Sequence, residues 1–375
     1  MMHYTLHLTS DCNCRCDYCY VKNTKELMSK EVAFAVIDRA ISDKQLVCGI
    51  AFFGGEPLLQ KNLIKETVAY ARRHSQSQPI KFYFKMTTNG LLLDEDFIKF
   101  CKQENVFVAV SLDGIQEAHN KHRFEANGQG TYERVVANAK TLLSYMPNSP
   151  VMMTVNPDTV ANLAPSVQHL YDLGFVYLLC GFNYAADWNS GHLKELKKQY
   201  RLLADFYYKN TMAENKFYLS PFETKINSHI NHQSYCQERC DLGKKQLSVA
   251  PNGDLFPCVE FISDSKYKIG DVFSGVNENL RQALYQENQQ EKPGCDRCAI
   301  ARRCNHYCGC QNLRATGSLN SVSPILCRQE QMVLAVADRL AERLYKKRSG
   351  LFIQKHYNEY YPIFSVIEER LKQRN

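Results

Sequence analysis

Short apolar runs alternate with longer amphipathic segments through the first half of the chain. Tyr4–Thr9, Gly49–Phe53, Lys81–Thr87, Val106–Ser111, Pro150–Val155 and Phe175–Cys180 read as strands. Between them, Ser29–Asp43, Asn62–His74, Asp94–Gln103, Tyr132–Tyr145 and Asn162–Leu173 carry apolar residues at helical spacing. In the first of these, Val32, Ala35, Val36 and Ala40 share one face. Strands in regular alternation with helices predict a parallel sheet covered by helices. Eight such units would close a full barrel. Six predict an α/β fold with an open, partial (β/α)6 TIM-like barrel over residues 1–184.

Each predicted strand ends in a polar loop. A cysteine-rich run, Asp11–Tyr20, follows the first, and Gly54-Gly55-Glu56-Pro57 the second. Thr87-Thr88-Asn89-Gly90, Ser111-Leu112-Asp113-Gly114, Val155-Asn156-Pro157 and Gly181–Tyr184 follow in turn. Taken singly, each is only a turn signal. In barrels, however, the C-terminal ends of the strands carry the site, so all six loops are expected on one rim.

The alternation stops after residue 184. Residues 185–235 hold the single Trp188, a helical stretch over His192–Lys209 and the pair His229 and His232. No carboxylate or third ligand stands near that pair, so it reads as structural. The segment is expected to link domains and shape a substrate site. Residues 236–330 contain a hairpin-type turn, Asn252-Gly253-Asp254. They have too little apolar sequence for a large core, so metal ligation is expected to supply folding energy. Residues 331–375 form a helical tail. Its first helix, Gln331–Lys347, carries the stripe Val333, Val336, Ala337, Leu340 and Leu344, with Gly350 as its C-terminal stop. Tyr357, Tyr360 and Tyr361 are expected to pack against the barrel or a partner subunit.

Composition narrows the class. The chain has 375 residues, 45% of them hydrophobic, enough for a substantial core. A net charge of +7 is mild. The basic groups Lys194, Lys197, Lys198 and Arg201, and Lys346, Lys347 and Arg348, read as solvated helix faces, so no nucleic-acid partner is expected. No apolar run reaches the ~18 residues of a membrane span, and Met1–Thr9 does not resemble a signal peptide. The sixteen cysteines are the outlier. In a chain of this length they point to a cytoplasmic metal protein in reducing, anaerobic surroundings rather than a disulfide scaffold.

Four cysteines crowd the first loop: Cys12, Cys14, Cys16 and Cys19. The subset Cys12-x3-Cys16-x2-Cys19, with Tyr18 before the last, offers three close thiolates. Such a set suits a [4Fe–4S] cluster with one iron left open; zinc sites usually close with four ligands. Nine more cysteines lie between Cys236 and Cys327. Eight thiolates make two four-ligand sites. Cys295-x2-Cys298 also fits a zinc ribbon, which leaves iron and zinc both open there.

Taken together, these motifs resemble the radical S-adenosylmethionine (radical SAM) enzymes with a C-terminal SPASM domain. Cys12-x3-Cys16-x2-Cys19 and Phe53-Gly54-Gly55-Glu56-Pro57 carry the first half of the resemblance. Cys240-x12-Gly253-x4-Cys258, Cys295-x2-Cys298-x5-Cys304-x3-Cys308 and Cys327 carry the second. The resemblance implies three [4Fe–4S] clusters and bound SAM. Cys12, Cys16 and Cys19 would hold the catalytic cluster. One auxiliary cluster would take Cys240, Cys258 and Cys308, with Cys236 as the upstream fourth ligand. The other would take Cys295, Cys298, Cys304 and Cys327. Cys14, Cys310, Cys48, Cys101 and Cys180 would not ligate. Gly54, Gly55, Glu56 and Pro57 would meet the amino group of SAM, Tyr18 its adenine and Ser111 its methionine or ribose part. Thr88, Asn89 and Asn156 are candidates by rim position. Asp113 and Arg123 belong to a recurrent stretch and are either functional or structural.

SPASM enzymes mostly modify peptides and proteins. The first expectation is therefore maturation of a ribosomally made peptide, for example through a thioether bond. The alternative is oxidation of a sulfatase Cys or Ser to formylglycine. The acidic base of that class directly follows the second SPASM cysteine, whereas here Val259 intervenes and Glu260 comes next. Glu260 and Asp113 are the catalytic candidates. A third alternative is an iron–sulfur electron carrier without radical chemistry, which would have no need of a SAM site. Expected partners are a peptide or protein substrate and an electron donor such as flavodoxin or ferredoxin. Only eleven residues precede Cys12, which leaves no room for a leader-binding module. Leader recognition is thus expected from the barrel, from residues 185–235 or from a separate protein.

Overall fold

A computed structural model describes residues 2–231 and 242–372. Six parallel strands follow one another across the sheet: β1 (Met2–His7), β2 (Val47–Phe53), β3 (Lys81–Thr88), β4 (Val106–Ser111), β5 (Val151–Val155) and β6 (Tyr177–Phe182). The helices between them are α1 (Lys30–Ser42), α2 (Lys61–His74), α3 (Glu95–Glu104), α4 (Gln116–His122), α5 (Tyr132–Tyr145) and α6 (Leu163–Asp172). Local chemistry sets several of these boundaries. Ser29 and Asp94 cap α1 and α3 by accepting the amides of Val32 and Phe97. Asn105 ends α3 in the left-handed conformation.

Alternation along each strand sorts side chains to two faces. On β3, Phe82, Phe84, Met86 and Thr88 are buried, while Lys81, Tyr83 and Lys85 face the other way and are exposed. The apolar face joins Leu6, Ile50, Phe52, Val108 and Val110 in one continuous core with the helices.

The sheet runs past residue 184 at both edges. β7 (Tyr218–Leu219) pairs with β6, and β8 (Gln246–Val249) lies parallel to β1 on its free side. β9 (Leu255–Phe256) pairs antiparallel to β8 through the Asn252-Gly253-Asp254 turn, where Gly253 sits at φ +93°. Nine strands thus stand in the order β7-β6-β5-β4-β3-β2-β1-β8-β9. The period-two signal of β8 spans only four residues, too short to reveal that it would join the first strand.

Beyond the barrel come α7 (Ser190–Met212) and α8 (Ser220–Asn231), followed after the hairpin by α9 (Glu278–Gln289) and α10 (Gly309–Thr316). α11 (Pro324–Lys346) then buries Val333, Val336, Ala337, Leu340 and Leu344 against the main core. Gly350 does not stop this helix. Arg348 takes the left-handed turn at φ 54°, and Ser349 accepts the amide of Phe352 to start α12 (Gly350–Tyr357). Phe352 is buried in the main core, whereas Tyr360, Ile363, Phe364, Ile367 and Leu371, at and along α13 (Tyr361–Lys372), are exposed. Among the described residues, no helix is long and apolar enough to cross a membrane.

Candidate active site

The cysteine loop leaves β1 and is anchored at both ends. Thr9 Oγ1 donates to the carbonyl of Glu26 at 2.7 Å and accepts the amide of Asp11 at 2.9 Å. Asp11 Oδ1 accepts the amide of Cys12 at 2.8 Å. Arg15 Nη1 donates to the carbonyls of Cys12 and Cys14. The second loop lies directly against the first, with Gly55 N donating to Thr9 O at 2.8 Å and Glu56 N to Asp11 O at 2.9 Å. Only glycine allows this approach: a Cβ on Gly55 would stand 2.0 Å from Asp11 O, and one on Gly54, at φ +126°, 2.4 Å from Thr9 O.

Glu56 is completely buried. It accepts the amide of Leu58 at 3.0 Å, the hydroxyl of Thr88 at 2.7 Å and the amide of Asn89 at 2.8 Å. Burial pushes its carboxyl upward, against the pull of these donors. Its carboxylate braces the rim, with both oxygens bonded within the protein. Pro57 opens the short turn that follows. Thr88 is spent on Glu56, while Asn89 reaches the cysteine loop: its Nδ2 donates to Asn13 at 2.7 Å and lies 3.7 Å from Cys12 Sγ.

Asp113 is 3% exposed and fully engaged. It accepts from Tyr18 Oη at 2.7 Å, from Arg123 at 2.8 and 3.2 Å and from the amide of Thr154 at 2.8 Å. The Arg123 guanidinium also lies 5.4 Å from the Tyr18 ring centre. Both oxygens of Asp113 are thus bonded within the protein, and Arg123 and the Tyr18 hydroxyl share this internal brace. Sequence reasoning missed a neighbouring link, in which His122 bridges Asp17 and Asp158 at 2.9 Å each. Ser111 ends β4 partly exposed. Asn156 is buried at the end of β5; its Oδ1 accepts from Asn183 at 2.9 Å, but its Nδ2 has no partner.

Cys12 and Cys16 are half-buried and Cys19 is exposed. Cys14 is turned inward and hydrogen-bonds both Cys12 and Cys16. These bonds lower both thiols, that of Cys16 to about 7 with help from Arg123. In the second half, Cys258 and Cys310 are buried, and Cys310 Sγ lies 3.4 Å from that of half-buried Cys308. Burial raises the Cys295 thiol, which has Cys298 and Cys327 as neighbours. Arg303, next to buried Cys304, is pinned to Asp338 at 2.9 and 2.5 Å, and Glu330 holds Lys225 at 2.5 Å and the amide of Asn305 at 3.2 Å. The 295–308 loop is thus tied to α8 and α11. Cys236, Cys240 and His232 lie outside the described residues; His229 sits 3.3 Å from Asp338. Cys48 and Cys101 are buried thiols, whereas Cys180 is partly exposed and lines a 190 Å³ cavity with Tyr184, Cys304 and Glu330. A larger cavity of 660 Å³ is lined by Tyr177, Tyr218 and Tyr361, at the β7 edge and away from the cysteines.

Next to Glu260, Arg314 bridges to the cysteine loop of the first half. The Glu260 carboxylate accepts from Arg314 Nη1 at 3.0 Å, while Arg314 Nη2 donates to the carbonyl of Tyr18 at 3.1 Å. Burial pushes the Glu260 carboxyl upward and Arg314 opposes it. Ser263 closes the seam with a 3.3 Å bond to the carbonyl of Tyr20. No sequence signal marked Arg314, whose partners lie far away in the chain.

Residues 6–168 match the Radical SAM superfamily, and residues 240–305 match the SPASM iron–sulfur cluster-binding domain. The chain is a radical SAM protein with a SPASM domain. It is 25% identical over 324 residues to a cysteine-type anaerobic sulfatase-maturating enzyme of Clostridium novyi, covering 80% of this chain and 85% of the relative. A subtilosin biosynthesis protein, AlbA, of Bacillus subtilis is 22% identical over 82% of this chain and 66% of its own length. The radical SAM fold agrees: a solved structure described as native anSMEcpe with bound AdoMet superimposes with a TM-score of 0.81 at 21% identity, covering 92% of this chain and all of the other. These domains imply [4Fe–4S] clusters and SAM. The radical SAM loop fits such a group in three respects: three thiols on one loop, a rim built on two obligatory glycines and an unpaired buried amide at Asn156.

Proposed function

We propose that this radical SAM enzyme oxidises a Cys or Ser side chain of a sulfatase-type protein substrate to formylglycine without oxygen. The observation that carries the reading is Glu260, a half-buried carboxylate bonded to Arg314, which also donates to the backbone of the cysteine loop. A bound, reduced cluster with SAM would supply the radical chemistry for hydrogen-atom removal from the substrate side-chain carbon. Cys12, Cys16 and Cys19 hold that chemistry at the rim. The backbone of Gly54 and Gly55, with Asn89, Ser111 and Asn156, orients SAM. Glu260 accepts the proton of the substrate thiol or hydroxyl. Loss of a hydrogen atom and a proton leaves one electron, and Cys258, Cys295, Cys298, Cys304, Cys308 and Cys327, with Cys236 and Cys240, supply ligands for its acceptor; a Ser side chain then ends as the aldehyde, and a Cys side chain as a thioaldehyde that water hydrolyses to the aldehyde with release of hydrogen sulfide. The substrate is a peptide segment, and reducing equivalents come from a flavodoxin or ferredoxin.

A second reading is thioether formation in a ribosomally made peptide, with a separate protein recognising the leader. Two observations favour it: the acid stands two residues after Cys258 rather than next to it, and the similarity extends to a subtilosin biosynthesis protein. Anaerobic reconstitution with SAM, reductant and a synthetic Cys peptide cut from a sulfatase separates the two. An aldehyde that reacts with a hydrazide supports the first reading. Loss of two hydrogens together with the free thiol, in a peptide whose backbone gains a thioether, supports the second. Absence of 5′-deoxyadenosine would overturn both.

A further inference from the structure

Arg314 lies outside every cysteine motif, on α10 and six residues after Cys308. Its side chain is one-third exposed, yet it makes three contacts with distant segments. Nη1 meets Glu260 at 3.0 Å, Nη2 meets the Tyr18 carbonyl at 3.1 Å, and the guanidinium lies 5.2 Å from the ring centre of Tyr20. Tyr18 and Tyr20 flank Cys19, while Glu260 follows Cys258 by two residues. One planar fork therefore spans the SAM-cluster loop and the first auxiliary-cluster segment. Its own base is fixed independently. Asn312 is fully buried and donates to His306 O at 2.8 Å while accepting Ser323 N at 3.3 Å, and Leu313 packs into the local apolar cluster.

We infer that Arg314 is a positioning residue, which fixes the Glu260 carboxylate relative to the cysteine loop so that hydrogen-atom loss and proton loss occur at one substrate carbon–heteroatom pair. This rests on the proposed role of Glu260. The chemistry of the side chain explains why arginine stands here. A guanidinium donates two directed bonds to two acceptors at once and still presents a face to an aromatic ring. A lysine supplies the charge but only a point donor. Arg314 therefore acts through Glu260 and touches no reacting atom.

A double-mutant cycle on the reconstituted holoenzyme tests this, with SAM, reductant and the synthetic sulfatase Cys peptide. Glu260→Gln, Arg314→Gln, Arg314→Lys and the Gln/Gln double variant are compared for iron content, cluster EPR, 5′-deoxyadenosine and modified peptide. Glu260→Gln and Arg314→Gln are each expected to keep their iron and 5′-deoxyadenosine formation, and to lose about 10²-fold in modified peptide. The double variant is expected to fall no lower than the worse single one, and Arg314→Lys to recover part of the loss. Additive losses, or a drop in iron content and SAM cleavage parallel to the loss of product, would make Arg314 merely structural and overturn the inference. Glu260→Gln inactive with Arg314→Gln fully active overturns it while leaving the role of Glu260 intact. Glu260→Gln with normal product removes the role of Glu260 itself, and the inference with it.

Discussion

The two cysteine-bearing halves of this molecule are held together by different physics. From β1 to β6, alternating strands bury Leu6, Phe52, Phe84 and Val110 completely or nearly so under a shell of helices. The first cysteine loop is a guest on that frame, fastened by the Thr9, Gly55 and Asn89 contacts. Between Leu242 and Cys327 a small satellite cluster that includes Leu242, Phe256, Phe261, Tyr267 and Leu319 forms beside the main core, which Leu247, Val249 and Leu255 of the β8–β9 hairpin join. Here the cysteines are interleaved with the apolar residues: Cys258, an expected ligand, belongs to the cluster itself, as does Cys310, which is not expected to ligate. Where ligands are guests, losing the metal costs chemistry; where they are part of the core, losing it costs structure.

The sharpest test is Cys16→Ala. It is expected to abolish 5′-deoxyadenosine formation while retaining about two thirds of the iron and an unchanged far-UV spectrum, on the basis of four irons per cluster. Next in size is removal of all iron by anaerobic chelation. Limited proteolysis should then open residues 242–327 and leave the β1–β6 half resistant; equal resistance of both would erase the contrast. Phe52→Ala, in the half that does not lean on metal, is expected to cost about 3–5 kcal/mol in denaturant unfolding with or without iron. Asn156→Ala should raise the KM for SAM about 2–10-fold with little change in stability, as one hydrogen bond is lost.

The smallest effect concerns pH. Burial lowers His119 to about 3, where it accepts the amide of Asp113 and pairs with Thr131. Between that value and ~6.5 the unfolded chain binds a proton that the native chain refuses. Stability therefore falls as pH drops through this window, by up to ~1.4 kcal/mol per unit for this group. His119→Gln should flatten that slope in urea titrations from pH 6.5 to 4.

Much of the barrel was legible because period-two and helical spacing are local properties. All six strands and the five intervening helices fall within a few residues of their expected places, and the Asn252-Gly253-Asp254 turn does form a hairpin. The short α4 escaped notice because Gln116–His122 is polar and lacks an apolar stripe. Gly350 was misread because glycine permits the left-handed turn without requiring it, and here Arg348 makes that turn. In the site, spacing brought out the cysteines but could not assign roles to carboxylates. Glu56, Asp113 and Glu260 look alike in sequence; only their partners show that the first two are braces and the third sits at the seam. Arg314 was invisible for the same reason, since it is 296 residues from Tyr18.

The pairing of β1 with β8 also sets a timetable. During synthesis β1 gains one neighbour, β2, early, but its other neighbour, β8, is about 240 residues further along the chain. At roughly 5–20 residues per second, that edge stays bare for about 12–50 seconds of synthesis. Open strand edges invite wrong partners, so the bare edge of β1 is an aggregation hazard until β8 pairs with it. Through the same interval the cysteine loop next to β1 stands without the segment that later flanks it, so the seam can close only once Ser263 and Arg314 have been made.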